Sequence, residues 1–81
     1  MSAAAIAAAL TEALDAAAAR ETGGACVLVS MHWELLAPAA SGEARVSVER
    51  KTRTLMFLNA TFVGAGGARI ATAASVHKIV E

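Results

Sequence analysis

Residues 23–35 read GGACVLVSMHWEL, and the spacing of apolar residues changes at this stretch from every fourth position to every second. Before it, the larger apolar residues recur four positions apart, as in a helix with one buried stripe: Ile6, Leu10 and Leu14. This pattern predicts a helix from Ala3 to Arg20, with Ser2 as its N-cap and the two glycines of the quoted stretch as its end. Alanines surround most of this helix, so other backbone can approach it closely on several sides, which is typical of a helix wrapped by a sheet.

Alternate residues of the quoted stretch form one apolar face and predict a β-strand with that face buried: Val27, Val29, Met31, Trp33 and Leu35. Three more strands are predicted at residues 44–51, 54–63 and 69–80, with turn residues before the first and the last of these three. The strand at 54–63 is apolar on both sides, which favours a central place in the sheet or an interface. Short connections favour antiparallel neighbours in sequence order, so we expect an α+β fold in a single domain over residues 1–81.

The length of 81 residues allows one domain with a thin core, and 22 of those residues are alanines, which bury little area. A domain with so thin a core is usually stabilised by association with another chain, so we expect a homodimer or homotetramer. The formal net charge of zero gives no field that attracts nucleic acid or an acidic membrane surface. A single cysteine, Cys26, excludes an internal disulfide, and no apolar run is long enough to span a membrane. We therefore expect a cytoplasmic protein.

Three motifs follow one another along the predicted strands: Leu35-Leu36-Ala37-Pro38 with Gly42, then Arg53-Thr54-Leu55-Met56-Phe57, then Gly67-Ala68-Arg69-Ile70-Ala71-Thr72-Ala73. In this order they resemble the strand motifs of hotdog-fold acyl-CoA thioesterases of the phenylacetate-pathway type. The helical stretch from Ala4 to Leu14 resembles the central helix of the same family. The resemblance implies a hotdog-like α+β fold, one central helix wrapped by a four-strand antiparallel sheet in the order αββββ. Periodicity alone leaves a cystatin-like dimerisation or ligand-binding domain as an alternative.

Two departures from the family concern its catalytic loop and its proline turn. Members usually carry a first strand and a His-Gly-Gly-like loop, whose backbone N–H groups polarise the thioester carbonyl at the start of the helix. The sequence starts at Met1 with Ser2-Ala3-Ala4 where that loop is expected to end, so we expect a truncated domain. Ala37 stands where a polar residue often precedes the proline. The departures leave open a non-catalytic hotdog module that binds an acyl thioester or serves only assembly.

The resemblance implies one Asp or Glu on the central helix, acting as nucleophile or as general base for water that attacks an acyl-CoA thioester. The helix offers Glu12 and Asp15. A gapless match places Leu10 at the catalytic position, whereas a loop after the helix that is shorter by two residues places Glu12 there. Glu12 is therefore the predicted catalytic residue. The alternative is that both carboxylates are simply solvated on the polar face of the helix.

Coenzyme A carries phosphate charges, and the predicted substrate-binding residues form a mostly basic run at the turn after the second strand: Arg50, Lys51, Arg53 and Thr54. The alternative is a solvated turn. His32 and His77 are predicted on the polar phase of their strands, in exposed or interface positions. Neither has a second ligand at metal-site spacing, so no metal or cofactor is expected. Trp33 is expected to fill the core, and Cys26 to be a buried, inert thiol.

Overall fold

A computed structural model describes residues 1–80, which form one helix and one four-stranded sheet. The helix α1 spans Ala3–Thr22, and the strands are β1 Cys26–Leu35, β2 Glu43–Lys51, β3 Leu55–Val63 and β4 Arg69–Ile79. A short 3-10 turn, Ala65–Gly67, joins β3 to β4. The predicted α+β class and the element order αββββ are confirmed. Among the described residues, no helix has both the length and the apolar character needed to cross a membrane.

The helix has the caps that the sequence predicts. The side chain of Ser2 accepts a hydrogen bond from the backbone N–H of Ala5 at 3.1 Å. At the other end Gly23 adopts a left-handed conformation with φ of 70°, which a residue with a Cβ rarely adopts. Between the caps one stripe is buried against the sheet: Ile6, Leu10, Leu14, Ala17 and Ala18.

The strands are hydrogen-bonded in the order β1-β4-β3-β2, and every neighbouring pair is antiparallel. The pairs β2–β3 and β3–β4 are neighbours in sequence, as predicted from their short connections. β1 and β2 are also consecutive, yet they lie at opposite edges of the sheet, so the expected pairing of these two strands is wrong. The reason is that β1 pairs with β4 along its length, and the connection from β1 to β2 crosses the end of the sheet.

Residues 36–42 make this crossing. The backbone N–H groups of Leu36 and Ala37 both donate to the carbonyl of Ile70, at 2.7 and 3.1 Å, and hold the connection against the start of β4. Because these two N–H groups have an acceptor on β4, the connection can cross the end of the sheet without leaving them unpaired.

Gly42 is the residue at which the connection passes the end of β3. A Cβ added there would stand 2.6 Å from Cε2 of Phe62 and 2.6 Å from the carbonyl oxygen of Val63. No side chain fits at such distances, so the glycine of the first sequence motif is required by the close approach of backbone to a buried ring.

The core lies between α1 and one face of the sheet. β3 contributes every second residue to it, and all four are buried: Met56, Leu58, Ala60 and Phe62. β2 and β4 flank β3, so its predicted central place is confirmed. Met31 and Trp33 of β1 are half-buried and pack against this core, which agrees with the expectation for the tryptophan.

β1 departs from the simple alternation that its sequence predicts. Its pairing with β4 skips a residue between Leu28 and Ser30, which makes Val29 the extra residue of a β-bulge. Before the bulge, Leu28 and its register partner His77 both face the helix. Val27 and Val29, on either side of Leu28, do not face the helix. Three residues that were predicted to be buried are therefore exposed, the two valines because of the bulge and the leucine at the end of an edge strand: Val27, Val29 and Leu35.

Candidate functional site

A carboxylate of the helix meets a buried imidazole of the sheet. His77 in β4 is 0% exposed, and its Nε2 lies 2.8 Å from Oδ1 of Asp15 in α1. The side chain of Asp15 is 53% exposed, so one side of the carboxylate contacts the protein while the other side faces solvent. The contact therefore connects the interior of the domain to its surface beside α1.

A second buried polar residue contacts the far side of the imidazole. Ser75 precedes His77 by two positions, so both side chains project from the same face of β4. The hydroxyl oxygen Oγ of Ser75 lies 3.2 Å from Nδ1 of His77, and the serine is only 3% exposed. Serine, histidine and aspartate thus form one line of hydrogen bonds, which we name the Ser75–His77–Asp15 line.

The geometry allows every polar atom of this line to make a hydrogen bond. An ionised Asp15 only accepts hydrogen bonds, so Nε2 of His77 must carry a proton and donate it. In a neutral imidazole Nδ1 then accepts, and the hydroxyl of Ser75 donates to it. Among residues 1–80 no buried side-chain nitrogen or oxygen lacks a hydrogen-bond partner.

The three residue types are those of a serine hydrolase triad, but their arrangement excludes that chemistry. In such a triad the serine is the nucleophile and must reach the substrate, while the carboxylate is the buried end. Here the serine is the buried end and the aspartate is half exposed. The group of this line that a substrate can reach is the carboxylate.

The prediction that His77 is exposed is wrong, because the phase of β4 is the opposite of the one assumed. The inward positions of this strand include Ala71, Ala73, Ser75 and His77, whereas Lys78 is exposed. The outward residues Ala74 and Val76 are as apolar as the inward ones, so hydropathy alone does not reveal the phase. Lys78 is the signal that reveals it, because a lysine at the end of a strand is rarely buried and its neighbour must then face inward.

Asp15 lies on the side of α1 that faces β1. Thr11 is one helical turn earlier and shares this side, and its Oγ1 lies 3.3 Å from Sδ of Met31 in β1. Leu28, the register partner of His77, projects from the same face of β1 and is 37% exposed. The half-exposed carboxylate therefore lies beside an apolar wall at the edge of the sheet.

Glu12, the predicted catalytic residue, is exposed on α1. It lies about 200° around the helix from Leu10 and from Leu14, because each residue advances the helix by about 100°. Within residues 1–80 its side chain has no hydrogen-bond or ion-pair partner, so no other side chain fixes its orientation. Its catalytic role stays a prediction.

The predicted substrate-binding run lies at one end of the sheet without forming a single cluster. The pairing of β2 with β3 skips Glu49, so Arg50 is opposite Phe57 and Lys51 is opposite the buried Met56. Arg50 and Lys51 therefore project from opposite faces of the sheet, although they are neighbours in sequence.

Lys51 is already bound to the helix. Its Nζ donates to the carbonyl of Glu21 at 3.1 Å, at the C-terminal end of α1, where a cation is favoured by the helix dipole. Arg53 and Thr54 are exposed in the hairpin between β2 and β3, and the Thr54 carbonyl accepts from the backbone N–H of Ile79 at 2.8 Å. The two arginines of the run are thus better placed for a surface ligand than the lysine.

The second histidine lies on the opposite face of the sheet from His77. The side chain of His32 is 81% exposed, as predicted, and its Nε2 lies 3.6 Å from Oε1 of Glu34. No group of three or more His, Cys, Asp and Glu residues within the described range has the arrangement of a metal site. Cys26, the single cysteine of the sequence, is half-buried, so it is less buried than predicted.

Comparison with solved structures finds a protein from the thioesterase superfamily whose X-ray structure matches this chain with a TM-score of 0.86. The match covers 98% of this chain at 21% sequence identity, and the chain spans 61% of the length of that protein. No protein-family model matches the sequence. No curated protein matches it either. The structural match shows the fold, which is hotdog-like, and favours it over the cystatin-like alternative.

Proposed function

We propose that this chain is an acyl-CoA thioesterase that hydrolyses the thioester of a small or medium acyl group, of the phenylacetate-pathway type that its motifs resemble. The observation that supports the reaction most is a half-exposed carboxylate on the central helix, Asp15, anchored by a buried imidazole in a hotdog-like fold. The thioesterase-superfamily neighbour supports the same reaction class at the level of the fold.

A helix carboxylate acts in this reaction as a general base. It takes a proton from water while the water oxygen forms a bond to the thioester carbonyl carbon. The carbon–sulfur bond then breaks, and the protonated side chain on the helix returns its proton to the departing CoA thiolate. The products are a free acid and free CoA, so no other reactant is needed. The sequence assigns the base to Glu12, and Asp15 is the second candidate.

The basic end of the sheet is the proposed docking place for the CoA phosphates. Arg50 and Arg53 are exposed there, beside Thr54, and Lys51 adds a positive charge at the end of the helix. Guanidinium groups match phosphate oxygens in pairs, so two exposed arginines near one hairpin suit a phosphate-bearing ligand.

A homodimer or homotetramer completes the proposal. β1 is an edge strand, and it exposes several apolar residues, including Val27, Val29 and Leu35. A second copy that pairs edge to edge with β1 would cover these side chains and the unpaired backbone of the strand. The proposed cytoplasmic location agrees with an acyl-CoA substrate.

The test is release of free thiol from a panel of short-chain, medium-chain and aryl acyl-CoAs. The wild type is compared with a double variant, Glu12→Gln with Asp15→Asn, which keeps the shape of both side chains and removes both charges. We expect turnover in the wild type and at least a hundredfold loss in the double variant, the usual scale for a lost general base. Turnover by neither protein would contradict the proposal. Binding of acyl-CoA without turnover would then identify the non-catalytic module.

A further inference from the structure

The Ser75–His77–Asp15 line places two polar residues inside a very small core. Burying a hydroxyl or an imidazole costs free energy unless its hydrogen bonds are made, and an aliphatic side chain would fill the same volume without that requirement. Ser75 contacts His77 at 3.2 Å, and His77 contacts the surface carboxylate of Asp15 at 2.8 Å. A chain with so thin a core gains a fixed orientation for Asp15 from this arrangement.

We infer that Asp15 is the residue that faces the thioester carbonyl, and that His77 is the positioning residue that holds it there, with Ser75 fixing the imidazole. This inference rests on the proposed acyl-thioester site and names its working carboxylate. Glu12 is only four-fifths of a helical turn away, but no side chain within residues 1–80 holds it.

The geometry at Asp15 suits a base that is oriented in advance. Oδ1 is engaged by Nε2 of His77, which restrains the carboxylate while its exposed side is open to water. A base held in this way loses little further freedom when it takes a proton from water. The hydrogen bond from His77 persists when the proton arrives on Oδ2, so the imidazole positions the base and does not itself transfer a proton.

The surroundings of Asp15 offer an apolar surface to the acyl chain and a polar group to the thioester carbonyl. Leu28 and Met31 offer an apolar wall along β1, which suits an acyl chain. The carboxylate of Asp15 is half exposed on the side of α1 that faces β1. An acyl group lying along β1 would thus bring its carbonyl to Asp15.

The test uses the fact that the chain has two histidines, one on each face of the sheet. The full chain is labelled with ¹⁵N-histidine after removal of any purification tag, and the imidazole signals are assigned with a His32→Gln variant. The probe is an acyl-CoA analogue in which a methylene group replaces the thioester sulfur, so that the carbonyl is kept and cannot be hydrolysed. We expect the Nε2 and Hε2 signals of His77 to shift on saturation, while those of His32 stay in place.

Binding that shifts neither histidine, or only His32, would overturn the inference, and so would a failure of the analogue to bind at millimolar concentration. A His77 shift in a protein that hydrolyses no acyl-CoA would keep the site assignment and contradict the proposed hydrolysis, so the two failures are distinguishable.

Turnover of two His77 variants separates positioning from simple packing. His77→Gln keeps an N–H donor and an acceptor, whereas His77→Leu keeps only bulk. We expect the glutamine variant to retain at least ten times the kcat of the leucine variant, with KM alike in both. Equal kcat values in two folded variants would overturn the positioning role. If the leucine variant does not fold, His77→Gln is compared with Asp15→Asn. The asparagine variant should then have the lower kcat.

Discussion

Asp15 and His77 are 62 positions apart in the sequence, and their side chains meet at 2.8 Å between Oδ1 and Nε2. One lies on the only α-helix of the described residues and the other on an inner strand of the sheet. The contact therefore forms only when helix and sheet are packed in their final arrangement. It links the stability of the small core to the orientation of a carboxylate at the surface.

The buried pair behind Asp15 predicts a non-additive stability effect. Replacing His77 by Leu leaves the hydroxyl of the buried Ser75 without its partner, which costs about 1–3 kcal/mol of unfolding free energy. Adding Ser75→Ala to His77→Leu should recover part of that loss, since no unpaired hydroxyl remains. Urea denaturation of both variants measures the difference. The exposed His32→Gln is the control, expected within about 0.5 kcal/mol of the wild type. A double variant less stable than His77→Leu alone would contradict the assigned hydrogen bond.

The crossing connection predicts that Gly42 tolerates no side chain. The Cβ of Gly42→Ala would meet the ring of Phe62 and the carbonyl of Val63, both at 2.6 Å, so the end of β3 must move. We expect a loss of about 2–4 kcal/mol, the scale of an overpacked or strained core position. The neighbouring Ser41→Ala is the matched control, because Ser41 is exposed. Equal melting temperatures for the two variants would show that the connection does not pass β3 this closely.

The helix, its caps and the number of strands could be predicted from sequence because each depends on local signals. Apolar spacing of four ends at two glycines, spacing of two begins after them, and turn residues follow the first and third strands. The order of the strands could not be predicted in the same way. It depends on residues 36–42, whose backbone donors find the Ile70 carbonyl, and nothing in that short segment distinguishes a hairpin from a crossing.

The candidate site was harder to predict than the fold because its key contacts depend on strand phase. Val29 forms a bulge that reverses the phase of β1, and the alanines of β4 make its two faces look alike. The sequence therefore predicts an outward His77 and gives no indication of its contact with Asp15. The assignment of Glu12 rests on resemblance alone, and its role is a prediction.

The exposed apolar edge predicts assembly. Val29 is 58% exposed on edge strand β1, and a lysine there should block a second strand from pairing with it. We expect the wild type to have at least twice the 8.2 kDa mass of one chain in light scattering, and Val29→Lys to lower that mass. Ser47→Lys, on the opposite edge strand β2, is the control for added charge and should keep the wild-type mass. A folded wild-type monomer would contradict the prediction.

The basic end of the sheet predicts salt-sensitive binding of coenzyme A. Replacing Arg50 and Arg53 by Gln should weaken binding of free CoA by about tenfold, and raised salt should reduce the difference. Arg45→Gln with Arg69→Gln removes the same charge from the opposite end of the sheet and serves as the matched control. Calorimetric titration measures both. Equal weakening in the two double variants would show a general charge effect and no docking site at the hairpin.

Adding Lys51→Gln to the hairpin variant tests the third cation of the run. Lys51 donates to the Glu21 carbonyl, so its loss should lower the melting temperature as well as any affinity. Affinity that falls with no change in melting temperature would show that Lys51 contacts the ligand and that its bond to the helix contributes nothing to stability.

The most direct test of the central claim is the rate of thiol release by Asp15→Asn and by Glu12→Gln, measured on the best acyl-CoA substrate of the wild type. Each variant keeps the shape of its side chain and removes one charge, and Glu34→Gln on the outer face controls for lost charge elsewhere. We predict that Asp15→Asn lowers kcat by roughly a hundredfold or more with little change in KM, because the base held by His77 is lost, and that Glu12→Gln costs much less. The opposite order of the two losses would return the role to Glu12 and contradict the assignment of Asp15.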